Sequence, residues 1–206
     1  MRMRQALLLV AAAVSLAVAL LPPLESAARE LFAAHMAQHL ILICITAPLL
    51  ALARPWSALE RVAPLTAWCA FVCVFLFWHW PAVFQWAAAA EATRLLELGS
   101  VLAAATVFWA AMLAPAPRLG HGASALFVMT AAIATDLPGV VMIFAPRAIC
   151  TMPDENAARF GLSALEDQQF AGLLMWVPAN LVFFGFAIFL FAQYMRAQPP
   201  RTLVTS

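Results

Sequence analysis

Apolar residues fall into six long runs along this 206-residue chain, over 6–21, 31–52, 65–80, 98–114, 123–144 and 168–191. Each is close to the roughly 20 residues that a helix needs to cross a bilayer. Proline-bearing or charged stretches separate them: Pro22-Pro23 after the first, Pro81 after the third and Pro115 after the fourth. Apolar runs this long, bounded this way, predict spanning helices, because a backbone in lipid must satisfy its own hydrogen bonds. The expected fold class is all-α, a polytopic transmembrane helix bundle of about six spans, forming one transmembrane domain over 1–206.

Composition supports this reading. Apolar residues make up 66% of the chain and charged residues 10%, whereas a soluble domain is about half apolar and a quarter charged. The net charge of +1 gives no basic footprint for nucleic acid. The chain has no internal repeat and no low-complexity tract.

Arginine, the sole basic residue besides histidine, predicts the orientation. With the N-terminus inside, Arg2, Arg4, Arg54, Arg61, Arg118, Arg196 and Arg201 are cytoplasmic, and Arg29, Arg94, Arg147 and Arg159 lie outside. Both termini of this multi-pass chain are therefore expected in the cytoplasm. Residues 1–28 also resemble a signal peptide, with Ser26-Ala27-Ala28 as a cleavage site. The apolar stretch is long for one, so a retained first span is expected.

Ionisable groups inside such runs are costly and mark function or pairing. His35 and His39 open the second run. Their i, i+4 spacing puts both imidazoles on one helix face, where they can share a metal ion or form a hydrogen-bonded interfacial pair. His79, between Trp78 and Trp80, ends the third run on the same side of the membrane. Asp136 lies inside the fifth run, two residues before Pro138. That proline opens the helix beside the acid, so Asp136 is read either as part of a wet site or as a cap on the second half-helix.

At 1.5 Å per residue, His39 and Asp136 both lie about 12 Å inward from their outer ends, and Met175 about 10 Å. Met142 and His35 are shallower. Convergence of depth predicts an outer-leaflet site of His35, His39, His79, Asp136, Met142 and Met175. Imidazole with thioether selects soft late metals, Cu(I) in particular. Cys150 and Met152 sit in the outer loop, where the cysteine is a weaker candidate. Asp167 is expected to cap the sixth span. GxSxG and HExxH are absent, and no enzyme is expected.

Two motifs carry a resemblance. His35-Met36-Ala37-Gln38-His39-Leu40 is followed by Ala47-Pro48-Leu49-Leu50-Ala51-Leu52-Ala53-Arg54-Pro55, and Asp167-Gln168-Gln169-Phe170-Ala171-Gly172-Leu173-Leu174-Met175-Trp176-Val177-Pro178 opens the last run. Together with Asp136-Leu137-Pro138-Gly139 they resemble the multi-span CtaG family of bacterial cytochrome c oxidase assembly factors, from the second span to the sixth. The resemblance implies a role in maturing a haem–copper oxidase by handling copper for its binuclear centre. It implies as partners the oxidase subunit carrying that centre and a periplasmic copper donor, besides the lipid bilayer. It implies His35, His39, Asp136, Asp167 and Met175 as the polar positions. The chain departs from the family's pattern in two ways. Many members carry a histidine at the outer start of the helix matching span four, where this chain reads Arg94-Leu95-Leu96-Glu97-Leu98. Members also often have seven spans. Two other functions fit parts of the pattern: a haem b electron carrier using His39 and His79, and a proton-coupled transporter using Asp136.

Overall fold

The apolar runs fold as helices whose outer faces are left to lipid. The structure, a computed structural model, describes residues 2–53, 57–114, 120–150, 152 and 154–197. Arg54, Pro115, Arg118, Trp56 and Arg201 lie outside the described residues. In chain order the elements are α1 (Arg2–Leu20), α2 (Leu24–Ala28), α3 (Phe32–Ile41), a π-helical turn (Leu42–Thr46), α4 (Ala47–Ala53), a 3-10 turn (Ser57–Arg61), α5 (Pro64–Trp78), α6 (Pro81–Ala88), α7 (Glu91–Met112), α8 (Gly120–Phe144), α9 (Asp154–Arg159) and α10 (Ala164–Ala197). No strand occurs among the described residues.

Five stretches are long and apolar enough to cross a membrane: α1, the continuous α3–π–α4 unit, α7, α8 and α10. A sixth candidate crossing is α5 with α6, two helices bent by 74° at their break. Pro81 at the first position of α6 cannot extend α5, and its fixed φ suits a new helix start. Large apolar side chains such as Val14, Ile133, Leu137, Leu181 and Ile188 are more than half exposed, as lipid-facing positions are. The protein is thus a multi-pass membrane helix bundle.

Its interior has two levels. Phe71, Phe108, Trp109 and Phe183 are at most 2% exposed and stack against one another at centroid distances of 5.0 to 6.2 Å. Among the described residues, every buried histidine and buried charged residue, with Gln38 and Gln168, lies near one end, where α3, α7 and α10 begin and α5 finishes.

The π turn explains how the second span keeps both levels. Pro48 has no N–H for the carbonyl of Cys44 and would clash with it in a regular helix. The wider turn ends just before this proline, at Thr46. Carbonyls loosened there find other donors: the Trp109 indole N–H donates to Ile43 O at 2.8 Å. The hydroxyls of Ser15 and Thr46 pair at 2.9 Å, tying α1 to the same turn.

α8 and α10 form the closest crossing. A methyl group built on Gly172 would lie 2.7 Å from the Gly139 carbonyl oxygen and 2.8 Å from Ile143 Cγ1. Glycine at both positions lets the backbones touch, the usual device of membrane helix pairs.

Four boundaries differ from the sequence-based expectation. Helix α7 starts at Glu91 rather than near 98, because Arg94 and Glu97 are buried and paired inside the bundle. Helix α10 extends over Ala164–Ala197 and runs through Pro178. The loop expected over 145–167 contains α9, and α2 follows Pro22-Pro23.

Asp167 does not cap the helix that carries it. Ser163 does so, in a reciprocal capping box: its hydroxyl accepts the Glu166 N–H at 3.2 Å, and the Glu166 carboxylate accepts the Ser163 N–H at 2.8 Å. Asp167 instead accepts the N–H groups of Phe32 at 2.8 Å and Ala33 at 2.9 Å. Those are orphan donors at the start of α3, whose own N-cap, Leu31, provides no side-chain bond. Asp167→Ala is therefore expected to cost about 1–2 kcal/mol, the usual cost of a lost cap. It should lower the thermal midpoint in detergent by several degrees, and Asp167→Asn should lower it less.

Candidate metal centre

The chemistry of the polar end begins one turn into α3. The i, i+4 spacing brings the His35 and His39 rings to a centroid distance of 4.7 Å, both buried. Across from them, the second turn of α7 presents Glu97, 1% exposed. Its Oε1 lies 3.0 Å from His35 Nε2, at hydrogen-bond distance. The same oxygen lies 3.3 Å from His39 Nε2, close enough for an ion pair but without hydrogen-bond alignment. One ligand atom from each of the three residues lies within 4.8 Å of the others.

His79 joins from the end of α5. Its ring stands edge-on to His39 at 5.4 Å and stacks on Phe75 at 3.9 Å. The Nδ1–H donates to Phe75 O at 2.7 Å, which leaves the lone pair on Nε2. That Nε2, His35 Nδ1 and both nitrogens of His39 are buried without a hydrogen-bond partner. Buried imidazole nitrogens are normally satisfied. The three on His35 and His39, gathered beside Glu97, fit a site built to take a further electrophile.

Charges line the approach. A cavity of about 310 Å³ reaches His35 and Glu97 past Arg29, Glu91, Arg94 and Met152. Arg94 donates to Glu25 Oε1 at 3.1 Å and to Gln38 Oε1 at 3.0 Å. Gln38 in turn donates to Ala19 O at 2.7 Å, so α1 is part of the scaffold. Glu25 also pairs with Arg29, which reaches Glu91 at 2.8 Å. Burial pushes the Glu25 carboxyl up, but the Arg29 and Arg94 guanidiniums outweigh it and hold the group below the usual carboxylate range.

The expected site residues separate. His35, His39 and His79 come together. Met175 is near them, lining a small cavity with His39, Met36 and Cys44. Met142 lines a different cavity, with His79. Asp136 stands apart: its carboxylate accepts from Asn180 Nδ2 at 2.8 and 2.9 Å, away from the histidines. Equal depth placed it level with His39, but its helix face turns it toward the α10 asparagine. The residue that sequence reasoning left out of the site is Glu97, assigned to an outer boundary because its charge interrupts the apolar run. The signal was available: Arg94 and Glu97 at i, i+3 are costly in a span unless paired inward. The touching rings of His39 and His79 leave no slot for a porphyrin, which counts against axial haem ligation by this pair.

Two imidazoles and a carboxylate suit borderline transition ions. The fold and site together define a polytopic membrane protein with a buried imidazole–carboxylate centre near one face of the bundle. The family model for the cytochrome c oxidase caa3 assembly factor (Caa3_CtaG) matches residues 1–197, and the chain belongs to that family. No curated protein matches the chain. No solved structure matches it either.

Proposed function

We propose that the chain serves oxidase assembly by holding copper as cargo at His35, His39 and Glu97, with His79 beside them. The carrying observation is the convergence of three buried donor atoms within 4.8 Å of one another. Among divalent first-row ions, copper binds nitrogen and oxygen donors most tightly. Cargo must also leave, and a centre reached through an open cavity permits ligand exchange better than a closed thiolate cage. On this reading the end of the bundle that carries the centre faces the periplasm of a bacterial inner membrane, an orientation the arginine count favours. A periplasmic donor would load the site there, and the oxidase subunit carrying the binuclear centre would receive the ion.

The test joins binding to physiology. Purified His35→Ala/His39→Ala protein should lose the copper bound at this centre in an anaerobic titration. A host whose own gene is replaced by this variant should lose caa3-type oxidase activity, and added copper should restore it in part. Unchanged stoichiometry together with normal oxidase would remove the proposal.

A further inference from the structure

His79 also lines a separate cavity of about 270 Å³, together with Met142 and Cys150. It opens at the bundle surface between α5 and α8, where Trp80 and Leu137 are 67% and 60% exposed. We propose that this cavity is a second metal site, selective for a soft monovalent ion of the Cu(I) class, with the Cys150 sulfur, the Met142 thioether and His79 Nε2 as its donors. The proposal goes beyond the His35–His39–Glu97 reading and does not depend on it.

Three observations support it. The first is His79 Nε2, a buried nitrogen with no partner, on a ring that is 6% exposed and forms part of the cavity wall. The second is the donor set. Thiol, thioether and imidazole in an otherwise apolar cavity suit a soft ion and offer little to Mg²⁺ or Ca²⁺. Cys150 and Met142 are 1% and 2% exposed, so neither is an incidental surface group. The third is the way the two sulfur residues are held. The Gln168 carboxamide oxygen accepts the N–H groups of Ile149 at 2.6 Å and Cys150 at 2.9 Å. Its NH₂ donates to Met142 O at 2.9 Å. One fully buried side chain thus fixes both backbones at the cavity, a positioning role for Gln168. Methionine's unbranched chain gives its sulfur the reach to meet an ion.

Binding balances simply. The Cys150 S–H bond breaks, its proton leaves to water, and the sulfur electron pair forms the metal–sulfur bond; copper remains Cu(I). Burial pushes the free thiol up to about 11, so at neutral pH the ion must displace a proton.

The experiment uses the full-length reduced protein in lipid nanodiscs, titrated with Cu(I) under anaerobic conditions against a chromophoric chelator. The His35→Ala/His39→Ala chain should still bind one ion with a near-ultraviolet thiolate-to-copper band. Adding Cys150→Ser should abolish both ion and band, Met142→Leu should weaken binding about tenfold or more, and Cys69→Ser should change nothing. If Cys150→Ser fails to fold, the native chain still decides, since bound Cu(I) should shield Cys150 from alkylation in a peptide map. A band that survives Cys150→Ser, or a native chain with no band and no shielded thiol, overturns the second site. Loss of the ion with Cys150→Ser, but no effect of the two histidine changes, leaves the second site standing and removes the first.

Discussion

Glu97→Gln is expected to reduce copper affinity at the proposed centre about 100-fold, or about 2.8 kcal/mol, while leaving the helix bundle folded. Glutamine keeps the length and planarity of the side chain, so the contact between α7 and α3 remains filled. It removes the negative charge that faces both His35 and His39 through a single oxygen. The remaining imidazoles then hold a cation without a compensating anion in a buried site, where charge neutralisation matters most. Isothermal or chelator-competition titration measures the effect, with the helical signal and thermal midpoint as fold controls. Glu97→His should retain more affinity than Glu97→Gln, because it restores a ligand without the charge. Equal affinity for the native and glutamine proteins would mean that Glu97 only orients the histidines.

Gly172→Val is expected to be the most damaging small change in the membrane core. Even alanine would put its methyl 2.7 Å from a backbone oxygen, which cannot rotate away. Overpacking of this kind costs about 1–3 kcal/mol for a methyl, and valine adds two more carbons at the same crossing. Separation of α8 and α10 would also stretch the bonds from Gln168 to Met142 and from Asp167 to α3. The damage should therefore reach the proposed copper binding as well as stability. Gly185→Ala is the matched control: nothing lies within 4 Å of the added carbon, and the helix gains up to about 1 kcal/mol from the better helix former. Melting of both variants in one detergent separates the cases. A Gly172→Ala protein as stable as the native one would show that the crossing can relax.

The number of spans was legible because apolar length is a one-dimensional signal. His35, His39 and His79 were legible as neighbours because helix spacing and shared depth constrain them strongly. Asp136 shows the limit of depth. Two residues at the same height on different helices meet only if both faces turn inward, and rotation about the helix axis is set by partners far away in sequence. The Asn180 that takes Asp136 is 44 positions on. Asp167 failed for a related reason. Capping rules are local, and its donors belong to a helix 134 and 135 residues earlier. Glu97 is hard to read from sequence because a charge at the end of an apolar run marks a boundary as readily as a site, whereas here the charge is buried by pairing.

The π turn at Leu42–Thr46 has a consequence for how this chain can vary. One surplus residue is accommodated there, which shifts the angular phase between the two halves of the span by about 100°, one residue's worth of rotation. His35 and His39 face Glu97 of α7 above the turn, whereas α4 below it packs against both α1 and α7. Loss of a single residue inside it would bring the two halves back into step and swing one set of contacts out toward the lipid.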